Sequence, residues 1–173
     1  MEPYQIVYDT LNRLGIAYET VEHPPVMTVA EADRHITDRD GVRTKTLLLQ
    51  SRKGAAHYLV IMDGARRLHI KKLEQLLGAK GLHFCSPETL LAKLGLTPGS
   101  VSLFGLINNT ERDVKVCLDD GMLHENRISF HPNDNTKTVF IAMADMYAFL
   151  AALGYPYTVL SLSDTDCLAP QQP

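Results

Sequence analysis

The segment Gly41–Gln50 constrains the fold more than any other stretch, because a polar start carrying Lys45 runs directly into three consecutive leucines. A short apolar run of this kind, followed by turn-forming residues at 51–54, is typical of a strand buried on both faces. Side chains alternate across a strand, so Lys45 shares its inward face with Leu47 and Leu49. Such a lysine either extends its ammonium to water or holds it in a cleft to grip a ligand. Position alone favours the first interpretation, and the strand itself leaves both open.

Length and composition indicate one globular domain. The chain has 173 residues, and we expect a single domain over residues 1–166 followed by a frayed tail at 167–173. A formal net charge of −3 is unlike that of a general nucleic-acid binder, although it allows a local basic patch. The three cysteines, Cys85, Cys117 and Cys167, are odd in number and far apart, which favours reduced thiols in the cytoplasm. The amino terminus shows no signal-peptide pattern and no apolar run approaches membrane-spanning length, so we expect a cytoplasmic protein without a membrane partner.

Hydrophobic periodicity and turn residues predict a chain in which helices and strands alternate. Helices are predicted at 3–14, 28–34, 70–77, 87–94 and 146–153, and Thr28 and Ser86 are the predicted N-caps of the second and fourth. Strands are predicted at 16–22, 41–50, 57–62, 83–85, 106–108, 114–118, 127–130, 138–142 and 157–162. The turn at 51–54 is expected to join the second and third of them as a hairpin. Because strands outnumber helices and tight turns join many neighbours, the predicted fold class is α/β of the α+β kind. It has a mixed, largely antiparallel central sheet surrounded by helices.

Three further features have both a structural and a functional interpretation. The loop that contains Gly99 and Gly105 is a flexible connection or a place where backbone amides approach a ligand; spacing favours the connection. His131 either belongs to a proline turn or lies at the mouth of a pocket as a hydrogen-bond partner, and the sequence favours neither interpretation over the other. The densest basic stretch is either the solvated side of a helix or a contact for a nucleic-acid backbone; it comprises Arg66, Arg67, Lys71, Lys72 and Lys80. The seven histidines form neither HxxxH nor HxH, so we expect no metal site and no cofactor.

Taken together, the motifs resemble the YbaK/ProX family of aminoacyl-tRNA editing domains. The resemblance extends over the whole chain except the tail and depends on the order and spacing of several short motifs. They are His23-Pro24, Thr44-Lys45-Thr46-Leu47, the 99–105 loop, Leu106-Ile107-Asn108, Val116-x-Leu118-Asp119, Phe130-His131-Pro132-x-x-Asn135-x-x-Thr138 and Phe149-Leu150. Within the family the chain is most similar to freestanding proteins akin to the insertion domain of bacterial prolyl-tRNA synthetase, which clear Ala-tRNA(Pro).

The resemblance implies a sheet-centred fold with the site in a cleft, and it assigns roles to individual residues. Lys45 falls on the family's essential lysine, which positions the 3′ end of the substrate, and His131 falls on its histidine near the pocket. The glycine-bearing substrate loop corresponds to Gly99, Ser102 and Gly105, with Leu103 where the family often has proline. Met27 and Thr44 are expected beside the substrate, and the five basic residues beside the tRNA backbone. The terminal 2′-hydroxyl of the tRNA is thought to help activate water, so neither a triad nor a metal is required.

The implied partners are aminoacyl-tRNA and prolyl-tRNA synthetase, and nothing in the sequence predicts binding to duplex DNA. A synthetase pocket built for proline cannot exclude the smaller alanine, since each missing carbon discriminates by only ~1–3 kcal/mol. A second site that admits alanine and rejects proline completes a double sieve. Three hypotheses stay open: a hydrolase of Ala-tRNA(Pro), a hydrolase of Cys- or Ser-charged tRNA, and a non-catalytic module that binds tRNA ends or nucleotides.

Overall fold

The computed structural model describes residues 1–162, which form five α-helices and eight strands. The helices are α1 (Pro3–Arg13), α2 (Val29–Asp33), α3 (Ile70–Leu77), α4 (Pro87–Leu94) and α5 (Met143–Leu153). The strands are β1 (Glu19–Glu22), β2 (Val42–Gln50), β3 (His57–Asp63), β4 (His83–Phe84), β5 (Val114–Asp119), β6 (Arg127–Phe130), β7 (Lys137–Ala142) and β8 (Tyr157–Leu160). The predicted tail, the last residues of the predicted domain and Cys167 lie outside the described residues.

The helix ends follow the signals read from the sequence. Thr28 precedes α2, and its side chain accepts a hydrogen bond from the amide of Glu31, as an N-cap does. Ser86 caps α4 in the same way by accepting from Thr89 N at 3.2 Å. Among residues 1–162, no helix has the length and apolar character that crossing a membrane requires.

β2 occupies the middle of the sheet, whose strand order is β1-β7-β6-β2-β3-β5-β8, with β4 also paired to β2. The pairs β1–β7, β2–β3, β2–β4 and β6–β7 are antiparallel, and the pairs β2–β6, β3–β5 and β5–β8 are parallel. The predicted mixed sheet in which antiparallel pairs predominate is therefore confirmed. The predicted hairpin is also confirmed, because β2 and β3 pair with Lys45 opposite Met62.

The side chains on the two faces of β2 pack into two different hydrophobic clusters of the core. Leu48 belongs to the larger cluster, which also contains Phe104 and Phe149. Leu49 belongs to a smaller cluster beneath α3, with Leu47 packed against it at the edge. The prediction of a strand covered on both faces is confirmed, and Lys45 lies on the face of the smaller cluster.

Three predicted strands differ from the structure by more than one residue. Residues 106–108 are not a strand but the end of a 3₁₀ helix, Leu103–Asn108, which is capped when Ser102 Oγ accepts from Phe104 N. β1 starts at Glu19 rather than at residue 16, because the amide of Ile16 closes the end of α1 by donating to Leu11 O. β8 ends at Leu160, two residues earlier than predicted.

Candidate active site

A cleft of about 460 Å³ opens where β2 and β6 part. The two strands pair only at Val42–Ile128 and Arg43–Ser129, and the hydroxyl of Thr44 then donates to Ser129 O at 2.5 Å. Beyond that point β2 and β6 separate and form opposite sides of the cleft. The lining consists of Met27, Thr28, Val29, Ala30, Thr44, Lys45, Thr46, Leu47, Gly64, Gly99, Val101, Phe130 and His131. The site is thus a gap in the sheet, and α2 and the 97–102 loop close its sides.

The main chain of Thr46 faces this gap. Arg43 O accepts from Gly64 N on the β3 side, whereas Leu48 O accepts from Cys85 N on the opposite side. Because backbone groups alternate along a strand, the N–H and C=O of Thr46 point away from β3 and toward the cleft. Within residues 1–162, no strand pairs with Thr46 on that side. Thr46 therefore offers the cleft one donor and one acceptor that the sheet does not use.

Lys45 is half-buried beside this free edge, and its ammonium donates to the main-chain carbonyl of Arg66. Burial lowers the pKa of the Lys45 ammonium below its usual 10.5, an effect that Asp63 opposes and Arg67 reinforces. The ammonium is thus held inside the protein and not extended freely into water. This geometry favours the second interpretation of Lys45, a cation available to a ligand in the cleft.

The opposite wall forms where Met27 and Gly99 meet. Gly99 has a φ of +89°, which glycine adopts at little cost. Met27 is 63% exposed, and the side-chain amide of Asn135 holds its sulfur at 3.9 Å. The loop glycine therefore comes close to the start of α2, and the structure brings both residues to the cleft.

His131 ends the β6 side of the cleft. Its Nδ1 lies 2.8 Å from Lys137 O, which can only accept, so Nδ1 carries the proton of the neutral ring. Burial lowers the pKa of His131 below 6.5, and the bond to Lys137 O opposes this effect. Among residues 1–162, no hydrogen bond occupies Nε2 of this ring, which leaves an acceptor on a neutral histidine at the cleft.

Ser102 and Gly105 lie beneath the loop and do not line the cleft. Ser102 is fully buried, and its hydroxyl caps the 3₁₀ helix. Gly105 packs so tightly that a Cβ there would come within 2.7 Å of Leu96 Cδ1. Both residues support the loop in this arrangement, and their contact with substrate stays a prediction.

The five basic residues lie in different parts of the structure. Arg66 and Arg67 lie next to Lys45, whereas Lys71 and Lys72 are on α3. Lys80 lies at the far end of β2, where its carbonyl accepts from Arg52 N at 3.0 Å. The structure therefore brings only the two arginines to the site.

Several lining residues were missed by sequence reasoning. Thr46 looked like an ordinary strand residue, although the alternation that placed Lys45 also fixes which way its main chain points. Gly64 follows the predicted strand 57–62 and was not singled out; a Cβ there would come within 2.6 Å of Val29 Cγ1, so its absence lets α2 approach β3. Val101 and Phe130 lay within the predicted loop and the Phe130-His131-Pro132 motif, but neither was singled out as a site residue, because apolar residues of this kind are usually core. In the part of the chain that the structure describes, no three His, Cys, Asp or Glu side chains cluster as a metal site would.

Comparison with known proteins identifies the family. The family model described as "aminoacyl-tRNA editing domain" matches residues 23–149. The prolyl-tRNA editing protein ProX of Acetoanaerobium sticklandii is 33% identical over 162 residues, covering 94% of this chain and 99% of that protein. The prolyl-tRNA synthetase associated domain-containing protein 1 of Danio rerio is 35% identical over 153 residues, covering 87% of this chain and 83% of that protein.

Solved structures show the same fold. A crystal structure described as that of a candidate trans-editing enzyme for prolyl tRNA synthetase superposes with a TM-score of 0.74 at 20% identity, covering 95% of this chain and 98% of that chain. The family and the enzyme class predicted from the motifs are confirmed by the family model and the curated relatives: the chain belongs to the aminoacyl-tRNA editing domain family and is an aminoacyl-tRNA deacylase.

Proposed function

We propose that the protein is a freestanding editing hydrolase that deacylates mischarged tRNA(Pro), with Ala-tRNA(Pro) as its main substrate. The proposal is supported by the prolyl-tRNA names of the relatives that match most of the chain. The observation that carries it is the ammonium of Lys45, which is held half-buried beside the unpaired edge of β2. A fixed cation next to free main-chain groups suits an aminoacyl ester, which is reactive enough to need positioning more than activation.

In the proposed reaction, water attacks the ester carbonyl carbon and the bond to the 3′-oxygen of the terminal ribose breaks. The 2′-hydroxyl of the same ribose helps to orient and deprotonate the water, and the leaving 3′-oxygen takes up a proton. Lys45 positions the end of the tRNA by binding ribose or phosphate oxygens of that tRNA. The N–H of Thr46 is placed to donate to the carbonyl oxygen as negative charge develops there.

His131 and the Met27–Gly99 wall supply the remaining functions. The free Nε2 of neutral His131 accepts a hydrogen bond from the substrate's ammonium or hydroxyl groups. Met27, Val29 and Val101 present apolar surface to the amino-acid side chain and set the size that the cleft admits. A cleft of about 460 Å³ falls within the usual range for small-ligand sites.

A panel of aminoacylated tRNAs tests the proposal. We expect multiple turnover of Ala-tRNA(Pro) and little turnover of Pro-tRNA(Pro). Faster turnover of Cys- or Ser-charged tRNA would move the assignment to those substrates, and stoichiometric binding without turnover would indicate a binding module. Repeating the assay with added prolyl-tRNA synthetase tests whether that enzyme is a working partner.

A further inference from the structure

A second and larger cleft, of about 910 Å³, adjoins the first. The two clefts share Val29, Ala30 and Gly64, and the turn from Asp63 to Arg66 stands between them. This turn is closed by the amide of Arg66, which donates to Asp63 O at 3.1 Å. Arg66 therefore connects the two clefts: its carbonyl binds the ammonium of Lys45, which lines the first cleft, and Arg66 itself lines the second.

The other arginines of the second cleft are already engaged. Arg43 pairs with Asp33 at 2.8 Å and also donates to three main-chain carbonyls. Arg127 pairs with Glu19 at 2.9 Å. Both guanidinium groups are therefore engaged in ion pairs within the protein.

Arg66 differs from them. Its Nη1 is buried, and no hydrogen bond from its side chain is found within residues 1–162. A buried donor without a partner is costly, and in native proteins it calls for a specific explanation such as an absent water, ion or ligand. Phosphate suits this donor set, because two of its oxygens accept two parallel N–H groups of one guanidinium.

We propose that the second cleft binds the phosphodiester on the 5′ side of the terminal adenosine, with Arg66 as the phosphate-binding residue. The proposal rests on the proposed function, which places the aminoacylated adenosine beside Lys45. The preceding nucleotide then passes over the turn that separates the clefts, where the main chain of Arg66 binds Lys45 and its side chain meets the phosphate. Carboxylates such as Asp40 and Glu125 also line this cleft, so it fits one phosphodiester better than a highly charged ligand such as a triphosphate.

Binding of deacylated nucleotides tests the subsite independently of hydrolysis. The probes are adenosine, the dinucleotide CpA, whose adenosine carries a 5′ phosphodiester, and its isomer ApC, whose adenosine carries none. We expect the wild-type protein to bind CpA about tenfold more tightly than adenosine or ApC, which is the scale of a hydrogen bond to a charged group. Arg66→Ala and Arg66→Gln should abolish most of this difference, and Arg66→Lys should retain only part of it.

The matched control is Arg13→Ala, which removes an exposed arginine from the end of α1, outside both clefts. It should retain the full preference for CpA. Equal wild-type affinities for CpA and ApC, or a preference that persists in both Arg66→Ala and Arg66→Gln, would overturn the proposal. Because no acyl group takes part, this result is separable from the deacylation assay: a preference for CpA without deacylation would count against the proposed function alone.

Discussion

Met27 fills the space that a side chain on Gly99 would need: a Cβ built on Gly99 would lie 2.8 Å from Met27 Sδ. Gly99→Ala should therefore displace Met27, and the φ of +89° adds a backbone cost of roughly 1–2 kcal/mol. We expect a lower melting temperature and a loss of turnover of up to about 100-fold, since misplacing a cleft wall by an ångström can cost that much. The double variant Gly99→Ala/Met27→Ala should recover turnover more than stability. It removes the clash with the Met27 side chain but not the backbone strain of the positive φ at residue 99. Full activity of Gly99→Ala alone would show that this contact does not shape the site.

Met27→Ala should widen the cleft and weaken the exclusion of proline. Each added carbon that the wall rejects is worth ~1–3 kcal/mol, so the rate on Pro-tRNA(Pro) relative to Ala-tRNA(Pro) should rise about tenfold or more. Leu91→Ala is a suitable control, because Leu91 is 58% exposed, close to the 63% of Met27, and lines neither cleft. If Met27→Ala leaves the rate on Pro-tRNA(Pro) relative to Ala-tRNA(Pro) unchanged, other residues of the cleft select the size of the amino acid.

Lys45→Ala should fold and lose turnover by about 10²–10³, which corresponds to ~3–4 kcal/mol of transition-state stabilisation. Lys45→Arg should also be impaired, because a planar fork cannot replace a compact ammonium bound to the Arg66 carbonyl. Melting temperature and deacylation are measured together, with Lys115→Ala on the exposed part of β5 as the control. Near wild-type turnover in a folded Lys45→Ala protein would refute the role of Lys45.

Turnover should fall on acidification below pH 6.5, because burial holds the pKa of His131 below 6.5. Protonation of Nε2 removes the acceptor that His131, a lining residue of the cleft, carries in its neutral form. The same shift affects stability: the unfolded chain takes up this proton at a higher pH than the folded one does. The contribution of His131 to stability is therefore present above pH 6.5 and is lost as the pH falls through the lowered pKa.

His131→Asn separates these two effects. The asparagine amide can still donate to Lys137 O but offers nothing in place of Nε2, so the acid limb of the activity profile should flatten at a lower overall rate. Profiles of kcat/KM against pH for both proteins make the comparison. An acid limb that is identical in the variant would assign the titration to another group.

Ser102→Ala should lower stability by ~0.5–2 kcal/mol, because Phe104 N loses the hydroxyl that caps the 3₁₀ helix. A substrate-binding role would instead raise KM with little change in melting temperature. Thermal unfolding and kcat and KM for Ser102→Ala distinguish the two roles, and Ser102→Thr, which keeps a hydroxyl, should restore part of the stability.

Much of the fold could be predicted because local signals agreed with tertiary packing. The leucine run after Lys45 and the caps at Thr28 and Ser86 identified β2, α2 and α4. The segment predicted as the wrong kind of element was 106–108. It contains only three residues, too few for hydrophobic periodicity to distinguish a strand from a helix. Two hydrogen bonds favour the 3₁₀ helix there. The hydroxyl of Ser102 accepts from Phe104 N, and the side chain of Asn108 donates to Leu94 O at 2.8 Å.

The site was harder to predict because it is created by an interruption of pairing. Lys45 carries a charge in an apolar context and was identifiable. The contribution of Thr46 depends on where β6 leaves β2, and that depends on a partner strand far away in the sequence. The same limit applies to Arg66, whose proposed role depends on a buried Nη1 that no hydrogen bond occupies within residues 1–162, and not on its position in a basic stretch.

The pairing of Val42 with Ile128 also bears on how the enzyme is made. The β2–β3 hairpin needs only residues 42–63 and can form early during synthesis, because its contacts are local. Phe130 and His131 leave the ribosome much later, so a nascent chain exposes Lys45 while the β6 side of the cleft is still missing. Editing capacity should therefore arise only after residue 131 has emerged, and products truncated before it should carry none of it.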